Sequence, residues 1–374
     1  GECIMKSITY KLTIIILFTL ASVCTSRAEE KQLNVSKGDK LVININFGEI
    51  SITTWNKDEL VIKSDLEKDE HDKGLEIVQK GKIVTVTGGS NGSDITISAP
   101  SDFNFDVKTN AGSVSIKGNV SGKVELKTSG GDISTDNIYG SLDVSTSGGN
   151  ILIRNVKGAV KINSGGGDLN VGDISGDVVL NTGGGNVKVG KVSGTLKLKT
   201  GGGNISVSGT GNDASINTGG GNIFVDKSVG KIEMNTGGGD IKLNNPQEEI
   251  IAKTGSGSIH IQNVSNKMTI FTGSGDAEIF FSSLYKGNSE IKTNNGNVTL
   301  NLPAGIKATV TAKINSQGSD DQDVSDIDNI KSDFKLTTID RHENSINVSY
   351  QINGGGSNIN VIIENGNFQL KKSK

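Results

Sequence analysis

Aromatic side chains are scarce in this chain, at 4% of residues with one Trp, and proline occurs three times in 374 residues. A conventional core built around large rings is therefore excluded, as is a proline-rich extended chain. Both cysteines, Cys3 and Cys24, precede residue 29. Removal of that segment leaves no thiol for a disulfide framework, a thiolate metal site or a cysteine nucleophile. The three histidines, His71, His260 and His342, are far apart in sequence. Neither charge sign dominates: 38 Lys and Arg stand against 41 Asp and Glu, a formal −3. A mildly acidic chain with interspersed lysines is not an electrostatic nucleic-acid binder.

Glycine, by contrast, is abundant, at 51 residues, and it is phased. A phrase of the form Thr-Gly-Gly-Gly-Asn recurs from Thr128, its last residue falling at Asp132, Asn150, Asp168, Asn186, Asn204, Asn222, Asp240, Ser258 and Asp276. Each step is 18 residues. Aliphatic residues follow each anchor at one and three positions on, as in Ile151 and Ile153 or Val187 and Val189, and often at six, as in Val156. Gly recurs at eight, as in Gly158, and aliphatics again at ten and twelve, as in Val160 and Ile162. Period-two alternation predicts a strand with one buried face. Interior glycines, each costing about 1 kcal/mol in a helix, argue against the helical alternative.

Each repeat is thus two short strands joined by a Gly turn and a Gly-rich turn. Such a unit cannot bury its apolar face alone and must stack on copies of itself. The expected fold is all-β: a parallel β-solenoid with 18-residue coils and irregular capping coils at both ends. Coils about 4.8 Å apart make nine of them a rod of roughly 40 Å, and parallel crossovers favour a right-handed wind. Val160, Val178 and Leu196 should then stand in single file. The column from Thr128 to Thr272 is read as inward or at a corner, bonding its own members or nearby backbone. The Asp/Asn anchors are expected to form a stacked amide ladder.

Residues 1–28 resemble a secretory signal, with Met5 as the expected start, Lys6 and Lys11 before an apolar run, and cleavage between Ala28 and Glu29. Lipidation at Cys24 is the alternative, disfavoured by Val23 before it. The mature chain would carry 35 basic and 40 acidic side chains and no transmembrane span. Residues 29–100 are expected to form an N-terminal β region and cap, 101–300 the regular solenoid, and 301–374 C-terminal coils with an acidic loop at 317–333. That loop lacks the Gly and terminal Glu of an EF-hand.

Certain phrases carry a family resemblance: Gly48-Glu49-Ile50-Ser51-Ile52 with Trp55, Ala99-Pro100 leading to Val107-Lys108-Thr109, and the Gly-Gly-Asp/Asn-Ile repeats. Leu302-Pro303-Ala304-Gly305, Asn353-Gly354-Gly355-Gly356 and Asn365-Gly366-Asn367 complete the set. In their order they resemble the bacterial putative-adhesin family, β-strand-repeat proteins whose domain has no established function. The resemblance implies an exported envelope or surface protein with a β-solenoid body and supplies no site residues.

No catalytic, cofactor or metal residue is assigned. The expected role is a binding or structural scaffold in the periplasm, on the outer surface or outside the cell, recognising an envelope, glycan or host-surface ligand, with the oligomeric state open. A polysaccharide-active β-helix enzyme is one alternative, but it requires paired carboxylates, or a cation with a basic residue, on one face. A calcium-stabilised repeat is another, but the required Asp is missing from nearly every repeat. Ice binding is disfavoured because the Thr column shares the buried phase. Outward apolar residues Leu152, Phe224, Ile251 and Phe271 are the candidate docking surface.

Overall fold

The structure, a computed structural model, describes residues 29–65, 74–88, 94–315 and 329–373. The expected export segment through Ala28, with Cys3 and Cys24, lies outside these residues, as do His71 and most of the acidic loop 317–333. The described chain is all-β, without α-helix. Each regular coil contributes one strand to each of two long sheets. Sheet 1 collects strands just after the anchors, such as Ile151–Val156 and Leu169–Val171. Sheet 2 collects strands such as Val160–Ser164 and Val178–Thr182.

Stacking is parallel and in register. Val160 pairs with Val178, and Val178 with Leu196, as the 18-residue period requires. Inward aliphatics from both sheets form a single apolar cluster. These are chiefly Val, Ile and Leu, which suit a narrow two-sheet interior. Two hydroxyls replace the aliphatic residue six positions on, and Thr210 and Ser228 satisfy each other inside the core at 2.9 Å. Where the period slips, from Asp276 to Asn297, Tyr285 plugs the longer turn against Phe281, with its hydroxyl 2.6 Å from Ser289 Oγ.

The anchor column works differently from the expected amide ladder. Asp132 Oδ1 accepts the backbone N–H of Asn150 at 2.7 Å, and Asn150 Oδ1 accepts that of Asp168 at 2.9 Å. The same bond repeats through Asn222, Asp240 and Ser258 to Asp276. The acceptor oxygen is what every step shares, so Asp, Asn and Ser interchange, while Asn186 Nδ2 also donates to Asp168 Oδ1 at 3.4 Å. True amide ladders occur elsewhere, as from Asn181 Nδ2 to Asn163 Oδ1 at 3.2 Å and from Asn235 Nδ2 to Asn217 Oδ1 at 3.0 Å. The Thr column is buried at the corner and bonds backbone, not itself. Thr218 Oγ1 donates to the Gly203 carbonyl at 3.0 Å and accepts from the Gly221 N–H at 3.2 Å.

At both ends the coils stack out of chain order. In sheet 2, Lys40–Phe47 lies between Ile83–Gly88 and Asn104–Ala111. In sheet 1, Ile50–Trp55 lies between Ile95–Pro100 and Val114–Val120. Antiparallel strands Leu75–Lys80 and Glu59–Ser64 cover this end, and Glu29–Asn34 pairs outside the latter. The far end repeats the device in reverse. Ser357–Asn365 is inserted between Ser289–Asn295 and Ala308–Asn315, and Phe368–Ser373 between Val298–Pro303 and Ile330–Ser332. Strands Ser345–Ile352 and Thr338–His342 close sheet 2 antiparallel. Among the described residues the outermost strands, Leu75–Lys80 and Thr338–His342 in sheet 2 and Glu29–Asn34 and Ile330–Ser332 in sheet 1, each have one neighbour, so both sheets are open files. With 17 strands, sheet 1 extends roughly 77 Å along the axis.

Candidate binding faces

Side chains at alternate positions of each strand point outward, and register turns them into columns. On sheet 2 one column runs Lys108, Lys127, Ser145, Asn163, Asn181, Lys199. A shallow groove of about 730 Å³ follows this column and the adjoining corner, lined by Lys127, Ser145, Ser147, Asn163 and Asn181 among others. The parallel column reads Asp106, Glu125, Asp143, Lys161, Val179, Lys197. A second hollow, of about 360 Å³, adjoins Lys197 where Ala214 replaces a larger aliphatic residue.

Charge is distributed unevenly along this face. At its start Lys40 Nζ lies 2.8 Å and Lys108 Nζ 3.3 Å from the Asp106 carboxylate. Burial pushes the Asp106 carboxyl up, but the Lys40 hydrogen bond and the two ammonium charges outweigh it, and the group lies below its ordinary value. Lys127 likewise holds Glu125 low by hydrogen bonding. Further on, Lys161, Lys197 and Lys199 are exposed and enter no ion pair among the described residues.

Sheet 1 carries a different cluster. Phe224, Lys242, His260 and Glu278 occupy one outward column. His260 Nδ1 is 3.1 Å from Glu278 Oε2, Gln262 Nε2 is 2.9 Å from His260 Nε2, and the imidazole lies 5.3 Å from the Phe280 ring. A glutamine amide thus occupies the ring nitrogen that would serve a nucleophile, so the contacts orient the imidazole without activating a hydroxyl or thiol. Among the described residues no three His, Cys, Asp or Glu side chains converge as metal ligands.

The four candidate docking residues do not form one surface. Leu152, 51% exposed, and Phe224 lie on sheet 1, four coils apart. The Lys242 ammonium covers Phe224 at 6.0 Å from the ring centre. Ile251 and Phe271 lie on sheet 2 in adjoining coils, as diagonal neighbours. Trp55 closes a turn, its indole N–H donating to the Glu59 carbonyl at 2.9 Å with Lys57 over the ring at 4.7 Å. Sequence alone places Lys161 and Lys197 at outward positions, whereas the lysine trio with Lys199, the Asn163–Asn181 ladder and the His260–Glu278 pair are groupings that the structure adds. All follow from adding 18 to a residue number and keeping outward parity.

A family model described as Toastrack DUF4097 matches residues 11–175 and again residues 172–371. The chain belongs to this family. The first Toastrack match takes in the N-terminal cap and the second the C-terminal cap, and they meet within the regular array. Among solved structures, a "putative adhesin" from Bacteroides fragilis is 15% identical, with TM-score 0.26, over 74% of this chain and 98% of that one. A "putative cell adhesion protein" from Clostridium sporogenes is 11% identical, with TM-score 0.15, over 93% and 100%. A "putative lipid binding protein" from Parabacteroides distasonis is 14% identical, with TM-score 0.21, over 74% and 97%. No curated protein matches the chain.

Proposed function

We propose that the protein is an exported scaffold of the cell envelope or surface, which binds a partner along its outer faces and performs no catalysis. The observation that carries this reading is the division of roles within each coil. Inward, corner and anchor positions are constrained by stacking, and their residues repeat. Apart from the Asn ladders, outward positions carry no such constraint and change from coil to coil, as in Lys161, Val179, Lys197, Ser215 and Glu233. A rigid repeat frame with a varied exterior suits recognition over an extended surface. The apolar segment before residue 29 supports export, and the Gln262-capped imidazole favours binding over acid–base chemistry. The family and its adhesin-named neighbours are compatible with this role.

Immobilised protein incubated with envelope and host-matrix fractions is expected to retain a partner, and cell fractionation to find the protein at the envelope. Recovery solely as a free, non-interacting species in the medium would overturn the proposal. Release of reducing sugar from acidic or neutral glycans would replace it with an enzymatic role.

A further inference from the structure

Resting on that scaffold reading, we propose that the outward face of sheet 2 binds a linear acidic polysaccharide, laid along the rod axis over Asn163 and Asn181 and held by Lys161, Lys197 and Lys199. Three observations meet here. The first is charge. Lysines nearer the N-terminal cap on this face are paired, Lys108 with Asp106 and Lys127 with Glu125, whereas Lys161, Lys197 and Lys199 are exposed without an ion pair among the described residues. Unpaired ammonium groups on a chain of net charge −3 mark a local field that favours anions. The positive stretch is bounded in its column by Asp143, adjoining Lys161, and by Glu233, two coils beyond Lys197. It therefore extends roughly 15–20 Å, or a few strand spacings.

The second observation is shape. The groove follows the axis past Ser145, Asn163 and Asn181 and ends beside Lys199. The second hollow, on the far side of Lys197, is lined by Asp213 and Glu233 as well as Lys231, so the cationic stretch ends there. Lys161 and Lys197 stand two coils apart, about 10 Å, an interval suited to acidic groups on alternate sugars of an extended chain. The third is the chemistry of the floor. Asn163 and Asn181 are linked through one amide contact at 3.2 Å, leaving further amide donors and acceptors facing out. Serine hydroxyls at Ser145 and Ser147 flank them. Amides and hydroxyls match sugar hydroxyls, as ammonium groups match carboxylates. A protein partner would call for aromatic or large aliphatic anchors, and this stretch offers only Val179. A nucleic acid would meet too few cations, with carboxylates at both ends.

The test is retention of the protein on immobilised polygalacturonate, dextran and double-stranded DNA at low and physiological salt. Retention on polygalacturonate alone, weakening as salt rises, is the expected result. Lys197→Gln with Lys199→Gln should weaken binding roughly tenfold, the loss of two surface charge contacts, with an unchanged melting curve. Lys188→Gln with Lys191→Gln, on the sheet 1 side, should leave binding intact. Equal retention on DNA, equal losses in the two double variants, or no retention on polygalacturonate would each overturn the assignment. If polygalacturonate fails while an envelope partner is still captured, the scaffold reading survives and the ligand class is wrong. Loss of that capture on protease treatment of the fraction would identify a protein partner instead.

Discussion

At the scale of single residues, the corner glycines obey a spatial rule that composition conceals. A Cβ on Gly221 would lie 2.1 Å from the Gly203 carbonyl oxygen, and one on Gly219 2.1 Å from that of Gly201, whereas one on Gly220 would meet nothing within 4 Å. The chain already exploits the open position, placing Ser256 and Ser274 there. None of these three glycines has positive φ, so close approach of successive coils is the constraint. Gly220→Ala should therefore leave stability unchanged or raise it by about 0.4–1 kcal/mol. Gly221→Ala should lower it by on the order of 1–3 kcal/mol as the coils are forced apart. Urea titrations of the two variants check this, and equal effects would contradict the stacking geometry. The anchor column shows comparable selectivity. From Asp132 to Asp276 no two acids are adjacent, since like charges one strand spacing apart repel by roughly 1 kcal/mol even in water.

At the scale of elements, the array was legible because a fixed period and outward parity determine every neighbour. The caps were not, because their coils are stacked out of chain order and alternation within a strand does not name its partner. A signal nevertheless existed. Gly48 and Gly112 carry single-glycine corners with φ of 116° and 134°, as Gly296 and Gly366 do with 156° and 148°. A Cβ on Gly112 would strike Gly48, and one on Gly366 would strike Gly296. Matching corner phrases thus mark stacked coils 64 and 70 residues apart. The anchor ladder was misjudged for another reason: sequence shows which side chains stack, not whether their oxygens turn to one another or to backbone N–H groups. An ion pair also bridges the permuted strands, Lys40 of Lys40–Phe47 reaching Asp106 of Asn104–Ala111. Because the folded carboxyl titrates below its ordinary value of 3.8, its contribution is complete above that value and is lost as pH falls through the lower, folded one. Asp106→Asn should thus lower the melting temperature at neutral pH, with the gap to the parent closing well below pH 3.8. Melting curves at the two pH values decide it, and a gap independent of pH would exclude the charge interaction as its source.

At the scale of the molecule, the two ends solve the problem of open sheets in the same way. A stack of parallel coils exposes unpaired backbone groups at each terminus, a template for uncontrolled pairing. Here an antiparallel hairpin covers the last coil of sheet 2 at each end, and the coil beneath is returned from a distant part of the sequence. The C-terminal residues are consequently an internal layer of the rod. Among the described residues Ile330–Ser332 pairs only with Phe368–Ser373, and the ladder from Ala308–Asn315 to the array runs through Ser357–Asn365. Deleting Ser357 to Lys374 should therefore release the whole C-terminal cap, not shorten the rod by one coil. The regular coils, which contact only their neighbours, should persist. Hydrogen exchange and limited proteolysis are expected to show lost protection across 308–315 and 330–352 alongside retained protection from 124 to 272. Deleting Glu29 to Asn34, the outermost strand, which among the described residues pairs with Glu59–Ser64 alone, should leave both caps and the array protected. A C-terminal truncation that kept 308–352 protected would mean that the last coil is not the layer holding that cap in place.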